Sequence, residues 1–269
     1  MTALALVRSP TERGEPTPQA SSARPMVVID DLRIHFGPLA VIEGMSLTIG
    51  EGEFITFLGP SGCGKSTLLK AIAGLRETTS GQITLRDRAL RLGLMFQKPL
   101  LLPWRTLIDN VLLPIEIELG GNVVSSIHRS RAMDLLCMMQ LNDFAAAYPH
   151  ELSGGMQQRA ALARALISDP DVLLLDEPFG ALDELRREVL NEELIDIWRS
   201  RSSRLKAVVM VTHSVPEAVT MSDRVLVLGS RPARILRSVD VELDYPRQAE
   251  SPDVQALVGE IRNVLRSNR

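Results

Sequence analysis

The sequence predicts an α/β protein: a P-loop core on a mostly parallel sheet, an antiparallel β subdomain ahead of it, and an inserted α-helical subdomain. Three observations predict it. Phe54-Ile55-Thr56-Phe57-Leu58 is an apolar, β-prone run leading into Gly59-Pro60-Ser61-Gly62-Cys63-Gly64-Lys65-Ser66-Thr67, after which Leu68 to Ala73 reads as helix. Val172 to Leu175 and Ala207 to Val211 are short, continuous apolar runs of the kind that strands buried on both faces require. Between these groups of strands, residues 107–141 carry helical periodicity.

The whole chain bounds the class. Its 269 residues are ample for a core around a sheet, and 45% hydrophobic with 23% charged residues is ordinary globular composition. With a net charge of −3, no general basic field argues for nucleic acid, and no such partner is expected. Cys63 and Cys137 offer neither metal-ligand spacing nor a disulfide framework, which suits a reducing compartment. No apolar stretch approaches the roughly 18 residues a bilayer span needs. Residues 1–25, rich in Pro, Ser and Thr, are expected to form a disordered leader.

In order along the chain, Met26 to Ile34 and Val41 to Ile49 alternate loosely as antiparallel strands, with Gly37-Pro38 between them. Phe36, just upstream of the glycine-rich loop, is placed to stack on an adenine ring. In the loop itself three glycines let successive N–H groups turn inward, and the following helix adds its positive end, so a phosphate chain can rest there. Lys65 would then meet the β- and γ-phosphates and the Ser66 hydroxyl a Mg²⁺ ion: a nucleoside-triphosphate site. Cys63, beside Lys65 at that helix start, is expected to be open to alkylation and protected by ATP.

Gly81 to Leu85 and Leu92 to Phe96 read as strands, the second delivering Gln97, which can orient water or ligate Mg²⁺. Helices over 107–119 and 123–141 are expected to be broken by Pro114 and by Gly120-Gly121. Leu152-Ser153-Gly154-Gly155-Met156-Gln157-Gln158-Arg159 precedes a helical run to Ile167, with Ser153 as N-cap and free N–H groups forming a second anion site. Two such sites suggest that a second copy contributes its own and closes the nucleotide between subunits. Asp176 and Glu177 end a buried strand, one to hold Mg²⁺ through water, the other to polarise the attacking water. Ala181-Leu182-Asp183 opens a helix to about Arg201. His213, at the end of the next strand, can reach a γ-phosphate. Strands over 224–228 and 233–238 and a helix over 254–265 close the chain.

That ordered set resembles the ATP-binding cassette family over roughly residues 26–238. Its most specific element is Ser153-Gly154-Gly155, which other P-loop ATPases lack. The resemblance implies a cassette domain over 26–245 with a helical subdomain about 98–168, and a helical tail over 246–269. It implies ATP and Mg²⁺ as cofactors, with the nucleotide bound by Phe36, residues 59–67, Ser153, Gly154, Gly155, Gln157 and Asp183. It makes Glu177 the base, assisted by His213, Gln97 and Lys65, with Ser66, Gln97 and Asp176 around the metal. It also implies a head-to-tail homodimer sandwiching two ATPs, membrane permease subunits docked on residues 97–119, an external solute-binding protein, and a place on the cytoplasmic face of the cell membrane.

Within the family, Phe96 to Thr106 and Asp109-Asn110-Val111 look like the subgroup importing nitrate, sulfonates or taurine; import of another solute, such as a pyrimidine precursor, and a non-transport ATPase are the alternatives. The stretch from Gly81 to Phe96 is shorter than that subgroup usually carries, which implies a shortened hairpin. A small-molecule kinase would leave Ser153–Gly155 and His213 unexplained.

Overall fold

The computed structural model describes residues 24–268 apart from Arg88, Asn122, Ala181, Leu182 and 201–203. The expected leader therefore lies almost wholly outside the described residues, as do Ala181 and Leu182 of the expected helix start. In chain order the elements are β1 (Pro25–Phe36), β2 (Leu39–Gly50), β3 (Glu53–Leu58), α1 (Lys65–Ile72), β4 (Ser80–Leu85), β5 (Leu92–Met95), α2 (Leu107–Glu118), α3 (Ser126–Met138) and α4 (Gly154–Leu166), followed by β6 (Val172–Asp176), α5 (Glu184–Arg199), β7 (Ala207–Thr212), α6 (Val215–Met221), β8 (Arg224–Leu228), β9 (Ile235–Asp240) and α7 (Pro252–Ser267).

Two sheets divide the strands. A six-stranded sheet runs β5-β6-β7-β3-β8-β9, parallel except for β9, and a three-stranded antiparallel sheet runs β2-β1-β4. Every residue of β3, β6 and β7 is buried, which is why their sequences are mostly apolar without alternation. Phe54, Phe57 and Leu58 of β3 are 0% exposed, and truncating one such aromatic, Phe57→Ala, costs about 3–5 kcal/mol.

Four adjacent strands, β5-β6-β7-β3, end on the same edge because parallel neighbours share a direction; Met95 pairs with Leu175, Asp176 with Val211, and Leu58 with Thr212. In open α/β sheets ligands collect at those carboxyl ends. The small sheet is brought to the same edge by backbone pairing: Ala233 donates to Val41 O at 2.8 Å, and Glu43 donates to Ala233 O at 3.3 Å.

Two elements differ from the sequence expectation. Pro114 lies inside α2 and does not end it. The apolar face of Val111, Leu112 and Ile115, packed in one core with residues of α4, holds the helix together despite the missing N–H. In addition, α6 forms where no helix was expected, started by Ser214 as N-cap and Pro216 in its first turn. The tail packs tightly: Val254, Val258 and Ile261 of α7 are buried against α6, β8 and Leu58.

Candidate active site

The glycine-rich loop leaves β3 and enters α1, whose N-cap is Gly64 at φ +123°, with no side chain capping the helix. Gly62 is also at positive φ, +76°. These are conformations that residues with a Cβ avoid, and they turn the loop's N–H groups to one side. Lys65 is 5% exposed, and its Nζ donates to Gly59 O at 2.8 Å and Pro60 O at 3.0 Å. A buried ammonium bonded only to neutral carbonyls attracts an anion strongly.

From β6 come Asp176 and Glu177. Ser66 Oγ donates to Asp176 Oδ1 at 2.8 Å. Burial raises the Asp176 carboxyl above its usual range, against the Ser66 hydrogen bond, with Glu177 adding to the rise. Glu177 has φ +47°, an uncommon conformation for a residue with a side chain and one that clusters at functional sites. Its N–H donates to Val211 O at 2.9 Å, so neighbouring β7 holds the strained turn.

Glu177 Oε2 is the convergence point. Gln97, just beyond β5, donates Nε2 to it at 3.1 Å, and His213 Nδ1, just beyond β7, lies 3.3 Å away. The turn presenting His213 is braced beneath: Thr212 Oγ1 donates to Glu217 of α6 and accepts from Ser214 N at 3.1 Å. Burial raises the Glu217 carboxyl, partly offset by the Thr212 hydrogen bond.

Lys65, Ser66, Gln97, Glu177 and His213 share one cavity of about 410 Å³, lined also by Phe36, Leu39, Val41, Ser61, Gly62, Gly64, Thr67 and Arg231. The lining combines apolar side chains with cationic and polar ones, a composition suited to a nucleotide. Phe36 is 41% exposed, and the Arg76 guanidinium sits 4.0 Å over its ring.

Cys63 contradicts the sequence expectation of an open thiol. It is 2% exposed, in a core with Leu68, Leu69 and Leu228, so the thiol is shielded from solvent. Gly59, Pro60 and Asp176 do not line the cavity themselves but are hydrogen-bonded to Lys65 and Ser66, which do. Ser153, Gly154, Gly155, Gln157 and Asp183 do not line it either. Ser153 caps α4, accepting from Met156 N at 3.3 Å, and Gln157 Nε2 donates to Pro149 O at 2.8 Å and Leu152 O at 3.2 Å.

Sequence reasoning passed over Arg76 and Arg231. Arg231 donates to Gly62 O through Nε at 3.1 Å and Nη2 at 2.6 Å, although 169 positions separate them. No local pattern carries that signal; it exists only once Ala233 has docked on β2.

Three comparisons fit this geometry. The ABC transporter family model matches residues 42–180. The taurine import ATP-binding protein TauB of Rhizobium johnstonii is 43% identical, aligned over 86% of this chain and 90% of that protein. The aliphatic sulfonates import ATP-binding protein SsuB of Rhodopseudomonas palustris is 44% identical over 89% and 83%. Among solved structures, the dimeric post-hydrolysis state of the ATP-binding cassette MJ0796 bound to ADP and Pi superposes with a TM-score of 0.72 at 31% identity, covering 81% of this chain and all of that one.

Proposed function

The chain belongs to the ABC transporter family, and on that footing we propose that it is the ATP-hydrolysing subunit of an importer for a small solute of the sulfonate, taurine or nitrate class. One observation carries the reading: four neighbouring strand ends and their loops bring Lys65, Ser66, Glu177, Gln97 and His213 into a single cavity, with Asp176 hydrogen-bonded to Ser66 at its edge. The importing relatives named above support the transport assignment.

In this reading Phe36 stacks on adenine, the loop N–H groups and Lys65 hold the phosphates, and Glu177 takes the proton from the attacking water. His213 and Gln97 flank the same Glu177 oxygen and orient that water and the γ-phosphate. Phosphoryl transfer leaves little covalent work to the protein, so this positioning carries the rate.

Ser66 and Asp176 offer the hydroxyl and carboxylate oxygens that suit Mg²⁺, with Gln97 nearby. Bound there, Mg²⁺ would neutralise charge on the β- and γ-phosphates.

Ser153, Gly154, Gly155, Gln157 and Asp183 would serve the nucleotide of a second copy, in a homodimer like the dimeric cassette neighbour. Among the described residues no helix is long and apolar enough to cross a membrane, so separate permease subunits would carry the solute. The segment from Gln97 to Leu119, with Trp104 72% exposed, would face them at the cytoplasmic side of the membrane, and an external binding protein would deliver the solute to them.

Growth of a deletion strain on taurine, alkanesulfonates or nitrate as sole source, complemented with wild type or Lys65→Ala, tests the assignment. A defect on one class rescued only by wild type is expected; normal growth on all three removes the importer subgroup.

A further inference from the structure

The helix that presents Ser153 is tied by side chains to the segment that presents Gln97. Gln158, on the second turn of α4, is 2% exposed, and its Nε2 donates to the main-chain carbonyl of Gln97 at 3.4 Å. Two turns further along, Arg164 forks across the same segment, Nη2 to Pro99 O at 2.6 Å and Nη1 to Leu100 O at 2.8 Å. Leu100 sits at φ +47°, so the segment is held in a shape that it would not adopt unaided.

Gln158 is not a satisfied core amide. Its Oε1 is buried without a partner among the described residues, a desolvation cost that an apolar side chain of the same size would avoid. That cost is understandable if the Nε2 contact serves something other than stability.

We propose that Gln158 and Arg164 are positioning residues for hydrolysis: they clasp residues 97–100 to α4, fixing Gln97 against Glu177 and linking it to the Ser153 end of the same helix. The inference rests on Gln97 belonging to the active site. Neither side chain lines the nucleotide cavity, so both act through Gln97. When a second copy's nucleotide meets the N-terminus of α4, the helix transmits that contact to the Gln97 side chain as a rigid body.

The test is steady-state ATP hydrolysis by the full chain with Gln158→Met, which keeps the volume and removes the donor, alone and combined with Gln97→Ala. Gln158→Met is expected to lower kcat about 5-fold with KM for ATP nearly unchanged and no fall in melting temperature. In the Gln97→Ala background it should cost nothing further, because its effect passes through the missing side chain. Additive losses, a kcat equal to wild type, or a melting temperature falling in step with kcat would overturn the clasp. Arg164→Lys, which keeps the charge but loses the fork, repeats the test should Gln158→Met fold poorly. If Gln97→Ala alone leaves kcat unchanged, the placement of Gln97 in the active site falls; if it lowers kcat and Gln158→Met does not, the clasp alone falls.

Discussion

Two helices of this chain begin with glycine beside them, and they begin differently. At α1 the cap is Gly64, no side chain satisfies the first N–H groups, and Val41 lies so close that a Cβ on Gly64 would come within 3.0 Å of it. At α4 the cap is Ser153, which already accepts from Met156 N, and a Cβ on Gly154 would meet nothing within 4 Å. The first helix start is sunk in a cavity with its chemistry gathered round it; the second is open at the surface, with no catalytic group beside it. In the proposed reading, the closed start, where no side chain caps the helix, would be a binding site ready within one chain. In the proposed dimer an open start facing solvent would be half of a site, and the glycines leave room for another surface to approach.

Variants sharpen this contrast. Glu177→Gln has the largest expected effect, a loss of roughly 100-fold or more in turnover with nucleotide binding retained, because it would remove only the proposed proton acceptor. Single-turnover hydrolysis beside equilibrium nucleotide binding separates the two. Lys65→Ala, at the closed start, should weaken ATP binding about 10- to 100-fold by removing a charged donor, as titration calorimetry would read. Ser153→Ala, at the open start, should behave oppositely: nucleotide affinity of the single chain unchanged, turnover reduced at all protein concentrations, and about 1 kcal/mol lost from the stability of α4. Equal loss of nucleotide affinity in Lys65→Ala and Ser153→Ala would erase the distinction.

Smaller effects test the edges of the closed site. Phe36→Ala should raise KM for ATP about 2- to 10-fold, the range of a lost aromatic stack, with kcat kept. Asp176 carries the pH signature. Its carboxyl is raised by burial, so the folded chain without nucleotide binds that proton more tightly than the unfolded chain does. Stability from this group is therefore fully present at low pH and declines as pH climbs from the ordinary aspartate pKa of about 4 through the raised folded value. Asp176→Asn removes the decline and should lift the melting temperature of the nucleotide-free protein by a few degrees at neutral pH, while stopping Mg²⁺-dependent turnover. A melting temperature that falls on this substitution would show that the carboxylate stabilises the fold.

What was legible in the sequence is what local pattern encodes. The predominantly apolar runs within β3, β6 and β7 announce buried strands, and Gly59 to Thr67 announces its loop, because the conformations at Gly62 and Gly64 permit few other residues. Pro114 misled because tertiary burial of Val111, Leu112 and Ile115 outweighs one missing hydrogen bond. The seven residues of α6 were missed although Ser214, Pro216 and Glu217 supply the start signals, since so short a helix shows no full period. Arg231 on Gly62, Arg76 on Phe36, and Gln158 and Arg164 on residues 97–100 were invisible for a different reason: each is a long-range contact to a backbone carbonyl or a ring, which leaves no spacing to read. Cys63 misled likewise, because its neighbours in sequence suggested access that its neighbours in space remove.

Sedimentation velocity of the Glu177→Gln chain with saturating Mg-ATP tests the central claim most directly, run beside the same chain carrying Ser153→Arg. A closed half and an open half predict a single species of twice the monomer mass for Glu177→Gln, and a monomer that still binds nucleotide once Ser153→Arg blocks the open helix start. A Glu177→Gln chain that binds ATP fully and remains a monomer at every concentration would contradict the account, because the open start of α4 would then have no nucleotide to meet.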